Sequence, residues 1–189
     1  MFMKINSAED VPGYTNINQH NCYKELVKKL PNKPKILEIG CLYGKSTWAW
    51  LDALPHDASY FVLDNFRSKT VNHTEIKKLQ KFNQRYIFDN VIEQHPNNKI
   101  IKKIWQMNGQ DWIKNLFTED WDLVYLDDDH SYEVVYNWLV LFQNVKVVCG
   151  DDYCLNHMGV VEAVDEYESK YNAYKQIHQS SNFFVLKNT

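Results

Sequence analysis

The run Pro34-Lys35-Ile36-Leu37-Glu38-Ile39-Gly40-Cys41-Leu42-Tyr43-Gly44-Lys45-Ser46-Thr47 decides how the rest of the chain is read. Its apolar core, Ile36 to Ile39, has strand length and carries one acid, Glu38. Gly40 and Gly44 then supply a sharp turn, and Ser46-Thr47 opens a segment of helical spacing. Strand, tight turn and helix N-terminus in that order suit a nucleoside ligand. Glycine lets the backbone approach without a Cβ, and the first helix amides face outward. Glycines that serve strand–helix packing alone would make the same turn, so residues elsewhere must decide.

Working outward, Tyr60 to Asp64, Ile100 to Met107, Asp122 to Asp127 and Val145 to Gly150 read as further strands, the last followed by Asp151-Asp152. Helical spacing runs over Ile17 to Leu30 (closed by Pro31 and Pro34), Lys45 to Leu54 (closed by Pro55), Asp111 to Phe117, Tyr132 to Phe142 and Val160 to Tyr171. Two final strands, Tyr174 to His178 and Phe183 to Leu186, meet through the turn at Gln179 to Asn182. The alternation predicts an α/β fold. A Rossmann-like, seven-stranded, mostly parallel sheet is expected, with helices on both faces and an antiparallel C-terminal hairpin at its edge. One domain over 1–189 accounts for the length. Residues 1–34 form a helical lead-in whose first 15 residues read as irregular. The polar stretch 65–98, with one helix suggested by Ile76, Leu79, Phe82 and Tyr86, is expected as an insertion that serves as a lid.

Hydrophobic residues at 44% and charged residues at 24% are what a packed core requires, and a net charge of −3 offers no basic face for nucleic acid. No apolar run approaches the ~20 residues of a membrane span. Met1 to Asn6 lacks the longer apolar core of a secretory signal. Cys22, Cys41, Cys149 and Cys154 form no CxxC pair and read as reduced thiols, which together predict a cytoplasmic protein. Oligomeric state is not fixed by the chain, so a homo-oligomer stays open.

In open parallel sheets ligands bind beyond the carboxyl ends of the strands. Glu38, Asp64, Asp127 and Asp151-Asp152 all fall there. Asp64, twenty residues past Gly44, is placed to accept hydrogen bonds from two ribose hydroxyls. A dinucleotide fingerprint sets its first glycine directly after the strand. Here Glu38 takes that place. An acid there disfavours a pyrophosphate and suits a ligand with an ammonium group, such as S-adenosylmethionine.

The stretch Ile36 to Thr47 resembles the first motif of class I S-adenosylmethionine-dependent methyltransferases. The resemblance extends to Asp64 as the ribose acid. It extends also to Asn108-Gly109-Gln110-Asp111, which is similar to the turn that brackets adenine in catechol O-methyltransferase-like enzymes. Most of residues 35 to 187 are covered. The implied cofactor site is Glu38, Gly40, Gly44, Ser46, Asp64, Gly109, Gln110 and Asp127.

Asp127-Asp128-Asp129-His130-Ser131-Tyr132-Glu133 and Asp151-Asp152 end two strands that are neighbours in such a sheet, ~4.8 Å apart, so their carboxylates can converge. Converging carboxylates repel unless protonated or neutralised by a cation. An all-oxygen set suits Mg²⁺ or Mn²⁺ better than zinc. Asp129 or Ser131 also fits as a helix cap, but capping does not explain five aspartates on two strand ends. The pattern resembles cation-dependent O-methyltransferases, closest to the branch that modifies macrolides and antibiotic sugars. That resemblance implies Asp127, Asp151 and Asp152 as metal ligands, and Asp129 or His130 as the base. Asp128 departs from the glycine usual in that branch, and Gln143-Asn144-Val145-Lys146 replaces its Gly-Gly pair. The implied reaction is cation-assisted methyl transfer to a hydroxyl of a small vicinal diol, a sugar or glycan first. His157, Tyr43 and Tyr153 are further candidates for the acceptor site. Two alternatives stay open. One is an NAD- or nucleotide-sugar-binding Rossmann-like enzyme, which Glu38 disfavours. The other is a methyltransferase-like binding module without turnover, which the Asp127, Asp151 and Asp152 set disfavours.

Overall fold

A computed structural model describes residues 4–67, 74–79, 81–107, 111 and 120–188. Seven strands form one sheet: β1 (Lys35–Ile39), β2 (Ser59–Asp64), β3 (Ile101–Gln106), β4 (Leu123–Leu126), β5 (Val147–Gly150), β6 (Tyr174–His178) and β7 (Phe183–Lys187). Their order is β3-β2-β1-β4-β5-β7-β6. Neighbours among β1 to β5 run parallel, and β7 lies antiparallel to both β5 and β6. The fold is the one expected, with the hairpin inserted so that β6 forms the edge. The strand order reverses between β1 and β4, and the crevice over such a switch point is where open α/β sheets take ligands.

Six helices were assigned among the described residues: α1 (Ile17–Val27), α2 (Lys45–Ala53), α3 (Thr74–Leu79), α4 (Gln84–Glu93), α5 (Tyr132–Leu141) and α6 (Met158–Tyr171). Strand alternation sends successive side chains to opposite faces. Ile36, Tyr60, Val62, Leu123, Tyr125 and Val185 face a layer built from Tyr23 and Leu26 of α1, Trp48 and Leu51 of α2, and Phe88 and Val91 of α4. Leu37, Ile39, Val124, Leu126 and Leu186 face Val135, Trp138 and Leu139 of α5, and Val160, Val164 and Tyr167 of α6. Full burial of each such side chain contributes about 1.5–3 kcal/mol. The β1 and β4 residues serve both layers, which makes this pair of strands the rigid centre.

Residues 4–15 are irregular apart from one turn, as expected, yet they are packed down against the core. Ile5, Ala8 and Val11 are buried in the α1/α2 layer, with a turn of 3-10 helix at Ala8–Asp10. Within the stretch 65–98 expected as a lid, the described residues carry two helices where one was expected, and α4 sinks Ile87, Phe88, Val91 and Ile92 into the core. The expected helix at Asp111 to Phe117 lies, beyond Asp111, outside the described residues, as do Gly109 and Gln110.

Candidate active site

Gly40 leaves β1 with φ at +83°, a left-handed conformation that glycine adopts without strain. A Cβ there would lie 2.0 Å from the carbonyl oxygen of Asp127. Only hydrogen at this position lets the ends of β1 and β4 meet. The chain then turns through Leu42, also left-handed, to Gly44 at the N-cap of α2.

Asp64 at the end of β2 braces this turn. Its Oδ2 accepts the amide N–H groups of Cys41 (2.8 Å) and Leu42 (3.0 Å), and its Oδ1 accepts that of Phe66 (2.5 Å). Glu38 is placed differently from the expectation. It points into the α1/α2 face, fully buried, and accepts hydroxyl hydrogen bonds from Ser46 (2.5 Å) and Thr47 in the first turn of α2. Burial lifts its pKa to about 8. Glu38 therefore holds the start of α2 from behind the cavity wall, and of these residues Ser46 lines the cavity.

That cavity measures about 460 Å³, within the ~300–1,000 Å³ of small-molecule sites. Gly40, Cys41, Leu42, Ser46 and Asp64 line one end, and Asp127, Asp129, His130, Asp151 and Asp152 the other. The sheet thus brings together the sequence-derived residues of both strand ends. Gly44 and Glu38 stand behind the wall.

The acid end is crowded. Ligand-capable oxygens of Asp127, Asp151 and Asp152 lie within 4.8 Å of one another. Burial first, and then its two neighbours, lifts the Asp151 carboxyl to about 8. Burial also raises Asp127. Asp152 runs the other way: burial pushes it up, but His130, whose Nε2 lies 2.8 Å from its Oδ2, wins and holds it below the usual range. The same contacts, with Asp127 first, lift His130 to about 10. Asp152 also sits in a left-handed conformation, φ +62°, a strained backbone of the kind found at functional sites. Asp129, at the rim, accepts the Ser131 amide at 2.7 Å, and the Ser131 side chain and amide hold its carboxyl low.

Several contributors carry no motif in the sequence. Pro12, Gly13, Tyr14 and Thr15 form part of the cavity wall. Lys45, also in the wall, pairs with Glu9 at 3.4 Å, and His20 pairs with Glu9 at 3.4 Å, which ties the N-terminal segment down. Gln19 was missed as well. Its Oε1 accepts the Asn16 amide (2.7 Å) in a capping box at the start of α1, which leaves its Nε2 to donate to Asp151 Oδ2. One turn on, Tyr23 donates to Tyr125 (3.1 Å), which donates to Asp127 Oδ2 (3.2 Å). A capping signal at Asn16-x-x-Gln19 was visible in the sequence. Its second bond depends on tertiary placement.

A family model described as a methyltransferase domain matches residues 37–150. The chain belongs to that family. The matched span runs from β1 to the end of β5, so it holds the glycine turn, Asp64 and the strand-end acids of this methyltransferase up to Gly150. No curated protein sequence matches the chain. Solved structures are similar in fold. An O-methyltransferase from Bacillus cereus in complex with SAH superposes with a TM-score of 0.64 at 14% identity, covering 96% of this chain and 86% of that one. TomG from Streptomyces achromogenes, an O-methyltransferase of tomaymycin synthesis solved with SAM, gives 0.65 at 14% identity, covering 100% and 93%. CalS11, a TDP-rhamnose 3'-O-methyltransferase of calicheamicin biosynthesis, gives 0.60 at 12%, covering 90% and 77%. At such identities the likeness is one of fold. Among the described residues no helix is long and apolar enough to cross a membrane.

Proposed function

We propose that this methyltransferase moves a methyl group from S-adenosylmethionine to a hydroxyl of a small vicinal diol, a sugar or glycan, with the help of a divalent cation such as Mg²⁺ or Mn²⁺. The observation that carries this is the single cavity in which the glycine turn and Asp64 face Asp127, Asp151 and Asp152. The fold supports it, as do neighbours solved with SAM or SAH and one that acts on TDP-rhamnose.

The residues fit both groups. Gly40, Cys41, Leu42, Ser46 and Asp64 would hold the cofactor, with backbone free to approach at Gly40 and polar atoms from Ser46 and Asp64. Asp127, Asp151 and Asp152 would hold the cation, since three close carboxylates offer oxygen donors and two of them are strained toward protonation without a neutralising charge. When bound, S-adenosylmethionine supplies an electrophilic methyl and the cation acidifies a chelated hydroxyl. Asp129 stays ionised at neutral pH and faces the cavity, so it suits the task of taking the hydroxyl proton. His130, held protonated up to about 10, is no base in this state. Pro12 to Thr15, beside the Glu9–Lys45 pair, form part of the cavity wall and would help to position the ligand there.

Transfer of labelled methyl from S-adenosylmethionine to a panel of nucleotide sugars, free sugars and catechols tests the assignment. Label should appear on a vicinal diol and disappear with EDTA. Label on none of the panel in the presence of Mg²⁺ and Mn²⁺ would refute the acceptor class, and full transfer in EDTA would refute the cation.

A further inference from the structure

Resting on the cation-assisted reading above, we infer that His130 and His157 join Asp152 as ligands, so that the centre takes a transition-metal dication of the Mn²⁺ to Zn²⁺ series in preference to Mg²⁺. The residues come from three separate elements. His130 sits in the loop between β4 and α5, Asp152 directly follows β5, and His157 ends the 3-10 turn Leu155–His157 that leads into α6. Helices α5 and α6 pack on the same face of the sheet, which sets the two loops side by side. The imidazole rings stand 4.3 Å apart between centroids, inclined by 59°. His130 Nε2 is 2.8 Å from one Asp152 oxygen, and His157 Nε2 is 3.7 Å from the other. Donor atoms of the three residues all lie within 4.8 Å of one another, as do those of Asp127, Asp151 and Asp152. Asp152 belongs to both sets.

The chemistry of the donors sets the preference. Mg²⁺ takes oxygen ligands and keeps several waters, whereas neutral imidazole binds the later first-row dications. A site with two imidazoles beside three carboxylates is mixed nitrogen and oxygen. The three side chains are 26% to 37% exposed, so an ion can enter and open positions remain for an acceptor. His130 as a ligand also leaves Asp129 as the base. The opposing reading is that protonated His130 is only a counter-ion for the crowded acids, with His157 packed against it at a tilt.

Calorimetric titration of the metal-stripped full chain with Co²⁺ and, separately, with Mg²⁺ distinguishes the two, in the wild type and in His157→Ala. Any oxygen site binds Co²⁺ more tightly than Mg²⁺, so the informative quantity is the change on substitution. His157→Ala should weaken Co²⁺ roughly 10- to 100-fold and leave Mg²⁺ unaltered, with circular dichroism reporting an intact fold. Equal Co²⁺ affinity in wild type and His157→Ala overturns the inference and leaves the cation-assisted reading standing. If neither cation binds the wild type, both fall. His157→Gln, which returns a neutral amide to the same place, should not restore Co²⁺ affinity; restoration would show that packing, and not nitrogen ligation, is what His157 contributes.

Discussion

The two ends of the cavity differ in how their charges are met. At the glycine-turn end every carboxylate has its partners inside the protein: Asp64 holds three backbone amides, and Glu38 holds two hydroxyls of α2. Among the described residues, the carboxylates of that end are paired before a ligand arrives. At the acid end Asp127, Asp151 and Asp152 crowd one another, met among the described residues by His130, His157, Gln19, Tyr125 and a backbone amide, and two of the three are pushed toward protonation by burial and by their neighbouring carboxylates. Buried polar groups that are fully paired rigidify a fold, while groups that are partly paired wait for something. The contrast teaches where preorganisation ends and where a bound cation would begin.

Gly40→Ala should break the arrangement most severely, because it pushes a methyl into the Asp127 carbonyl at a φ of +83° and so separates β1 from β4. A loss of about 3 kcal/mol or more in urea unfolding is expected, drawn from steric overlap and backbone strain together. Asp151→Asn tests the crowded end. Cation binding should fall about 100-fold, while the cation-free protein becomes more stable by roughly 0.5–2 kcal/mol, the trade expected where a site is strained for function. A cation-free protein that is destabilised instead would contradict the account of crowding. Gln19→Leu comes next. Cation affinity should drop about 10-fold through loss of the hydrogen bond to Asp151, with S-adenosylhomocysteine binding unaltered. Asn16→Ala, which removes only the cap, should cost about 1 kcal/mol of stability and spare the cation. Glu38→Gln should have the smallest effect. Folded Glu38 keeps its proton to about 8, against an ordinary 4.5. Between those values the folded chain binds more protons than the unfolded one, so this group lowers stability as pH rises through the window and adds no further slope above it. The variant should show a flatter pH dependence of the urea midpoint between about pH 5 and 8.

The sheet and the glycine turn were legible because apolar runs of strand length alternate with helical spacing, and because strand ends carry acids. Asp127, Asp151 and Asp152 could be brought to one place on that topology alone. The position of α4 could not, since Ile87, Phe88, Val91 and Ile92 lie in a stretch whose polar composition reads as a surface insertion. Ile5, Ala8 and Val11 recur every third residue, a run of three too short among polar neighbours to announce a buried segment. Glu38 shows a different limit. Its place at the strand end was right, but the alternation along β1 turns it to the face where Ser46 and Thr47 begin α2. Gln19 and Lys45 enter the site through tertiary contacts, which no local spacing encodes.

The most direct test of the central claim is calorimetric titration of the full chain with S-adenosylhomocysteine, without and then with saturating Mn²⁺. One site, its affinity scarcely changed by the cation, is predicted, since Asp64 and the glycine turn are held by contacts that involve none of the metal-candidate carboxylates. No binding at millimolar ligand in either condition would contradict the account.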